Sequence, residues 1–99
     1  MHASIWRFRG DTDELLRSYD AMVAEIPHAN MQLHLCLRAP DGIILVDSCP
    51  TREAFQAFAT GDALRALRNR HGLPEPERVE DYPVHVAFVA GREAATSDR

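Results

Sequence analysis

The chain has 99 residues, 45% hydrophobic and 26% charged, the balance of one globular domain whose single core buries roughly two-thirds of its unfolded surface. A net charge of -4 without a basic stripe excludes a partner held through its phosphates, so no nucleic acid is expected. No apolar run approaches the about 20 residues of a membrane span, and MHASIWRFRG lacks the apolar core and cleavage site of a signal peptide, so the expected location is cytoplasmic and the two cysteines are expected as thiols.

Residues Ala3 to Arg9 mix β-branched and aromatic side chains in rough alternation and stop at Gly10, the pattern of a first strand. Asp11 and Glu14 have capping-box spacing, with Thr12 as rival N-cap, and Leu15, Leu16, Tyr19, Met22, Val23 and Ile26 then recur at helical spacing up to Pro27. Leu33, Leu35 and Leu37 alternate with His34, Cys36 and Arg38, and Asp41-Gly42 is a strong hairpin-turn signal, so Ile43 to Cys49 is the returning arm. Pro50 and Thr51 open a second helical stretch, with a break or kink at Gly61-Asp62 and Gly72 as C-cap. Leu73 to Glu80 reads as a loop and Pro83 to Ala90 as the last strand. The order strand, helix, strand, strand, helix, strand predicts an α+β, ferredoxin-like βαββαβ fold, with two helices on one face of a four-stranded antiparallel sheet. The domain is expected over residues 1–91, with a frayed tail at 92–99.

With Asp41 and Gly42 in the turn, Arg38 faces Leu45, Cys36 faces Asp47 and His34 faces Cys49. Strict alternation then places His34, Cys36, Arg38, Asp47 and Cys49 on one face, and Leu33, Leu35, Leu37, Ile44 and Val46 on the other. The apolar set is expected under the helices. The opposite face, bearing Leu45, both cysteines and either Trp6 and Phe8 or Ile5, exposes an apolar load that a monomer avoids. Two such faces packed together give a homodimer with a partly polar cavity between the sheets, the expected place for a small-molecule ligand.

At LVDSCPTREAFQAFATGDALRAL the chain resembles the antibiotic biosynthesis monooxygenase-like family of the dimeric α/β-barrel superfamily. The match is to a strand-then-helix signature of a tryptophan, one residue, Ser or Thr and an E-A-F run, then a short break and a second helical segment. The resemblance implies a dimeric α/β barrel. It also implies the chemistry of cofactor-independent oxygenases on quinols and polycyclic aromatics, haem degradation, or isomerisation. Cys49 stands where the signature has tryptophan, and Arg68 aligns with the iron-binding histidine of haem-degrading relatives, which sets haem degradation aside.

Among candidate groups, His34 with Asp47 is a carboxylate-assisted imidazole suited to proton abstraction, set against a bland role lining a wet interface. Arg38 is expected to stabilise developing negative charge, and Trp6, Cys36, Cys49 and His85 to shape the pocket, with Trp6 otherwise core and His85 otherwise satisfied in the sheet. His34, Cys36, Asp47 and Cys49 are zinc-ligand types, but their strand spacing lacks the loops of structural zinc sites, so neither a metal nor a cofactor is expected. Thiol catalysis needs a nearby cation, and buried cysteines more often only pack. Arg65, Arg68 and Arg70 read as a solvated helix face. RNA-binding, copper-carrying and acylphosphatase-like versions of the fold lack their required residues here. The expectation is a small-molecule enzyme, monooxygenase-like or isomerase-like, taking a small hydrophobic or aromatic substrate. The alternative is a non-catalytic ligand-binding or dimerisation module.

Overall fold

The computed structural model describes residues 1–96. Strand β1 (His2–Arg9) leads into helix α1 (Thr12–Val23), where Asp11 is the N-cap and its carboxylate accepts the Glu14 N–H at 3.0 Å. Thr12 sits one place inside, and its hydroxyl donates to the Ala39 carbonyl at 2.6 Å, tying the helix start to the hairpin. The helix stops at Val23 rather than at Ile26, because Pro27 disfavours helical geometry in the residue before it; Glu25 and Ile26 continue only with bonds to the carbonyls three residues back. A single 3₁₀ turn (His28–Asn30) then leads to β2 (His34–Ala39) and β3 (Gly42–Cys49).

The hairpin turns at Pro40-Asp41, not at Asp41-Gly42, so Ala39 pairs with Gly42 and His34 with Asp47. Proline at the second and glycine at the fourth position of a turn are favoured. Gly42 has a second duty, since a Cβ there would lie 1.9 Å from the Phe8 carbonyl oxygen of the neighbouring strand. The pairing differs from the expected one by two residues, an even shift that leaves every side chain on its expected partners' face.

Helix α2 (Arg52–Ala59) is capped by Thr51, whose hydroxyl accepts the Ala54 N–H at 3.1 Å, and the chain breaks at Gly61 into α3 (Asp62–His71). Gly72, left-handed at φ 75°, ends α3 with bonds from Gly72 N–H to Asn69 O and from Leu73 N–H to Arg68 O. That Schellman arrangement folds Leu73 back into the core, where it is 2% exposed. The last sheet strand, β4, is Arg78–Pro83. The sheet is antiparallel in the order β2-β3-β1-β4, and with three helices this small α+β architecture is compatible with a ferredoxin-like fold. No helix among the described residues is long and apolar enough to cross a membrane.

Two expectations are corrected. The segment expected as loop supplies β4, a charged edge strand made tolerable by pairing: Glu80 with Arg78 at 3.2 Å, Asp81 with His2 at 2.6 Å, and Glu77 just before the strand with Arg9 at 3.0 Å. The apolar stretch expected as the last strand instead holds a small hairpin, β5 (Phe88–Val89) with β6 (Arg92–Glu93), turning at Ala90 and Gly91, both at positive φ. Arg92 and Glu93 of the expected frayed tail are thus paired, and residues 97–99 of it lie outside the described residues.

The second correction concerns which face the helices cover. Trp6, Phe8, Ile43 and Leu45 are buried against Leu15, Tyr19, Met22 and Phe55. Register places Asp47 and Cys49 on that same side through Ser4 and His2, and His34 and Cys36 through Asp47 and Leu45. The polar set therefore lies under the helices, while Leu35, Leu37, Ile44 and Val46 lie on the free face with Leu35 47% exposed. Both faces are apolar enough to be buried, and the aromatic bulk of Trp6 and Phe8 outweighs the leucines and decides the matter.

Candidate functional site

A cavity of about 330 Å³ lies between the sheet and the helices of one chain, at the small end of the range for ligand sites. It is not the space between two sheets that the sequence suggested. Trp6, Phe8, Met22, Leu45 and Phe58 form apolar walls, and Tyr19, His34, Asp47 and Arg68 bring polar groups to it. The Trp6 indole N–H is satisfied by Ser4 Oγ at 2.8 Å, so the wall carries no loose donor there.

Three of the polar groups form a chain. His34 on β2 and Asp47 on β3 are direct cross-strand partners, with Nδ1 3.3 Å from Asp47 Oδ1. Tyr19 reaches down from the buried side of α1, its hydroxyl 2.6 Å from His34 Nε2 and its ring plane within 6° of parallel to the imidazole. A carboxylate only accepts, so Nδ1 carries the imidazole proton, and Nε2 accepts from the tyrosine hydroxyl. Burial, with Cys36, Asp20 and Asp47 adding to it, pushes the Tyr19 hydroxyl up to about 12. The phenol is therefore a proton donor at neutral pH and Nε2 is the basic end of the chain.

The other expected site residues divide. Trp6 and Cys49 line the cavity. Cys36 packs against the core beside it without lining it. Burial pushes both thiols up, helped by Asp20 at Cys36 and by Asp47 at Cys49. That direction is the opposite of the lowered pKa that nucleophilic thiol chemistry needs. Arg38 is exposed, its guanidinium donates to Asp13 at 2.9 Å, and it is not among the residues that line the cavity with His34. The end of an edge strand lets so long a side chain reach solvent and an acidic helix N-terminus. His85 is exposed beyond the end of β4 and is not among the residues that line this cavity. No group of three or more His, Cys, Asp or Glu among the described residues is arranged to hold a metal ion.

Two functional groups escape a reading by residue type. Tyr19 looks like one more member of an apolar stripe; its signal is that a buried phenol needs a hydrogen-bond partner, and His34 is the polar group on the facing strand. Arg68 looks like part of a solvated arginine run, yet it is only 6% exposed. Its position one turn before Gly72 places it where the chain folds back over it, and Nη1 donates to the Pro74 carbonyl at 3.1 Å. No known family model and no curated protein matches this chain.

Proposed function

We propose that this chain is a small-molecule enzyme, of the monooxygenase-like or isomerase-like kind its sequence resembles, that abstracts a proton from a compact hydrophobic or aromatic substrate without a bound cofactor. The observation that carries this reading is the Asp47–His34–Tyr19 chain opening on an otherwise apolar cavity. In the resting site the phenol caps Nε2. A substrate with an acidic C–H or O–H beside the Tyr19 oxygen gives its proton to that oxygen as the phenolic proton passes to Nε2; Asp47 stabilises the imidazolium, and the electron pair stays on the substrate as an enolate or phenolate. Returning the proton to another carbon completes an isomerisation. With dioxygen as co-substrate, a CH2 group becomes a carbonyl, its two hydrogens leaving as water with the second oxygen atom.

The working unit in this reading is a homodimer formed through the helix-free sheet face. Ile5, Leu35, Leu37, Ile44, Val46 and Tyr82 share that face, with Leu35, Leu37 and Tyr82 exposed. Arg7, Arg78 and Glu80 at its margin offer both signs of charge, so a second copy can meet it with its own complement. The dimer interface and the cavity are then on opposite sides of the sheet.

Incubating the protein in deuterated buffer with a panel of polycyclic phenols, quinols and enolisable lactones, while following deuterium incorporation and oxygen uptake, tests the reading. The expected result is exchange or uptake with at least one compound that is lost in His34→Ala. Compounds that bind the cavity but exchange no faster with the native chain than with His34→Ala would establish the non-catalytic ligand-binding alternative instead.

A further inference from the structure

The cavity holds a cation that proton abstraction does not use. Arg68 lies on α3, its side chain 8% exposed, and among the described residues its Nε is buried with no hydrogen-bond partner. A buried, charged N–H left unpaired costs free energy that the fold does not recover from protein contacts. The guanidinium is otherwise held: Nη1 donates to the backbone carbonyl of Pro74 and Nη2 to Glu75 at 3.2 Å. Glu75 is itself 75% exposed, on the loop after Gly72, so it is a weakly held counter-ion rather than a core partner.

Nε and Nη2 form the side-on fork with which arginine accepts a carboxylate through two parallel hydrogen bonds. The Nε prong has no partner and is closed to solvent, and the Nη2 prong is held by a carboxylate that can swing into solvent, so a ligand reaches the fork as Glu75 leaves it. The geometry points to a carboxylate subsite: the ligand of this cavity is an apolar, ring-bearing acid whose carboxylate takes the Arg68 fork and displaces Glu75, with its ring against Trp6 and Phe58. This inference rests on the ligand-cavity reading above and narrows it to one substrate class. The lining matches that class, since the walls are apolar and Arg68 is the one arginine among the lining residues. It also supplies the positive charge that Arg38, paired with Asp13 at the surface, does not bring to the cavity.

The test compares two probes that differ only in the acid, cinnamate and its neutral amide cinnamamide, by NMR titration of the Arg68 Nε–H and the His34 ring signals together with affinity measurements. Cinnamate is expected to bind at least about tenfold more tightly than the amide, the worth of a charge-assisted hydrogen bond, and to move the Arg68 Nε–H signal. Glu75→Ala, an exposed change, is expected to tighten cinnamate binding severalfold. Arg68→Lys, which keeps the charge and loses the fork, is expected to remove most of the preference for the acid. Equal affinity for acid and amide, with only His34 signals moving, overturns the carboxylate subsite and leaves the cavity reading intact. Titrations in which neither probe moves Arg68 or His34 overturn both. Weaker cinnamate binding in Glu75→Ala overturns the displacement, and with it the fork assignment.

Discussion

Tyr19→Phe tests whether the phenol is held protonated against His34, and the structure sets both size and sign. Burial pushes the native hydroxyl up to about 12 from an ordinary 10.0, a difference worth at most about 2.7 kcal/mol at about 1.36 kcal/mol per unit. The cavity lets solvent reach the group and screens it, which reduces the expected effect to about 1–2 kcal/mol. Because folding raises this group's pKa, the stabilisation is fully present below pH 10 and is lost as pH rises from 10 through about 12. The chain contains no lysine, all eleven basic residues being arginine, so no ammonium titrates in that window, and shifts at Tyr82 and the two cysteines largely cancel in the comparison of variant with native chain. Below pH 10 the native chain should be more stable than Tyr19→Phe by about 1 kcal/mol, the net value of the hydrogen bond to Nε2. Between pH 10 and 12 that advantage should shrink by about 1–2 kcal/mol, read in urea unfolding as a relative midpoint shift of about 0.5–1 M. Parallel stability curves for the two proteins across that range would refute the buried donor and the proton arrangement drawn from it.

Gly42→Ala should destabilise the fold by about 2–5 kcal/mol, because the new methyl meets the Phe8 carbonyl oxygen on a backbone that can yield only by parting β1 from β3. A thermal midpoint unchanged within a few degrees would contradict that register. If the proposed dimer forms through the free face, where both residues sit, the pair Leu35→Glu with Leu37→Glu should reduce the dimer mass of the native chain to that of a monomer in light scattering with the circular dichroism spectrum retained; an unchanged mass argues against that interface. Cys36 and Cys49, both pushed up chiefly by burial, should react with a disulfide reagent at neutral pH more slowly than glutathione does, and faster labelling of either would reopen thiol chemistry.

Element order as far as the helical stretch ending at Gly72 was legible in the sequence, and the sharing of one face by His34, Cys36, Arg38, Asp47 and Cys49 was legible because alternation survives an even error in register. The caps at Asp11, Thr51 and Gly72 were legible because each is a local hydrogen-bond requirement. The covered face was not, because two apolar faces compete and the arbiter is the bulk of Trp6 and Phe8 on a different strand. The strand Arg78–Pro83 was hidden for a similar reason. An edge strand carrying Glu80 and Asp81 looks like loop until the arginines and histidine that neutralise it are known to be its neighbours. Arg68 was hidden by its own composition, an arginine among arginines, distinguished only by the helix end that folds over it.

On β2 the distribution of polarity is the reverse of what simple burial would select. Leucines face outward on β2, while an imidazole, a carboxylate, a phenol and a guanidinium stand on the side that the helices cover. Each inversion carries a cost, since exposed apolar surface invites association and buried polar groups must be paired. The fold offsets the second cost almost completely: Tyr19, His34 and Asp47 satisfy one another, and of the buried side-chain polar atoms among the described residues Arg68 Nε alone is left without a partner. That the one unpaired donor belongs to a residue lining the cavity, while the outward leucines lie on the far side of the same sheet, separates the two departures in space. Departures from simple burial concentrate where a protein binds or assembles, and here they lie on both faces of one sheet, the arrangement from which the proposed ligand cavity and the proposed pairing face are argued.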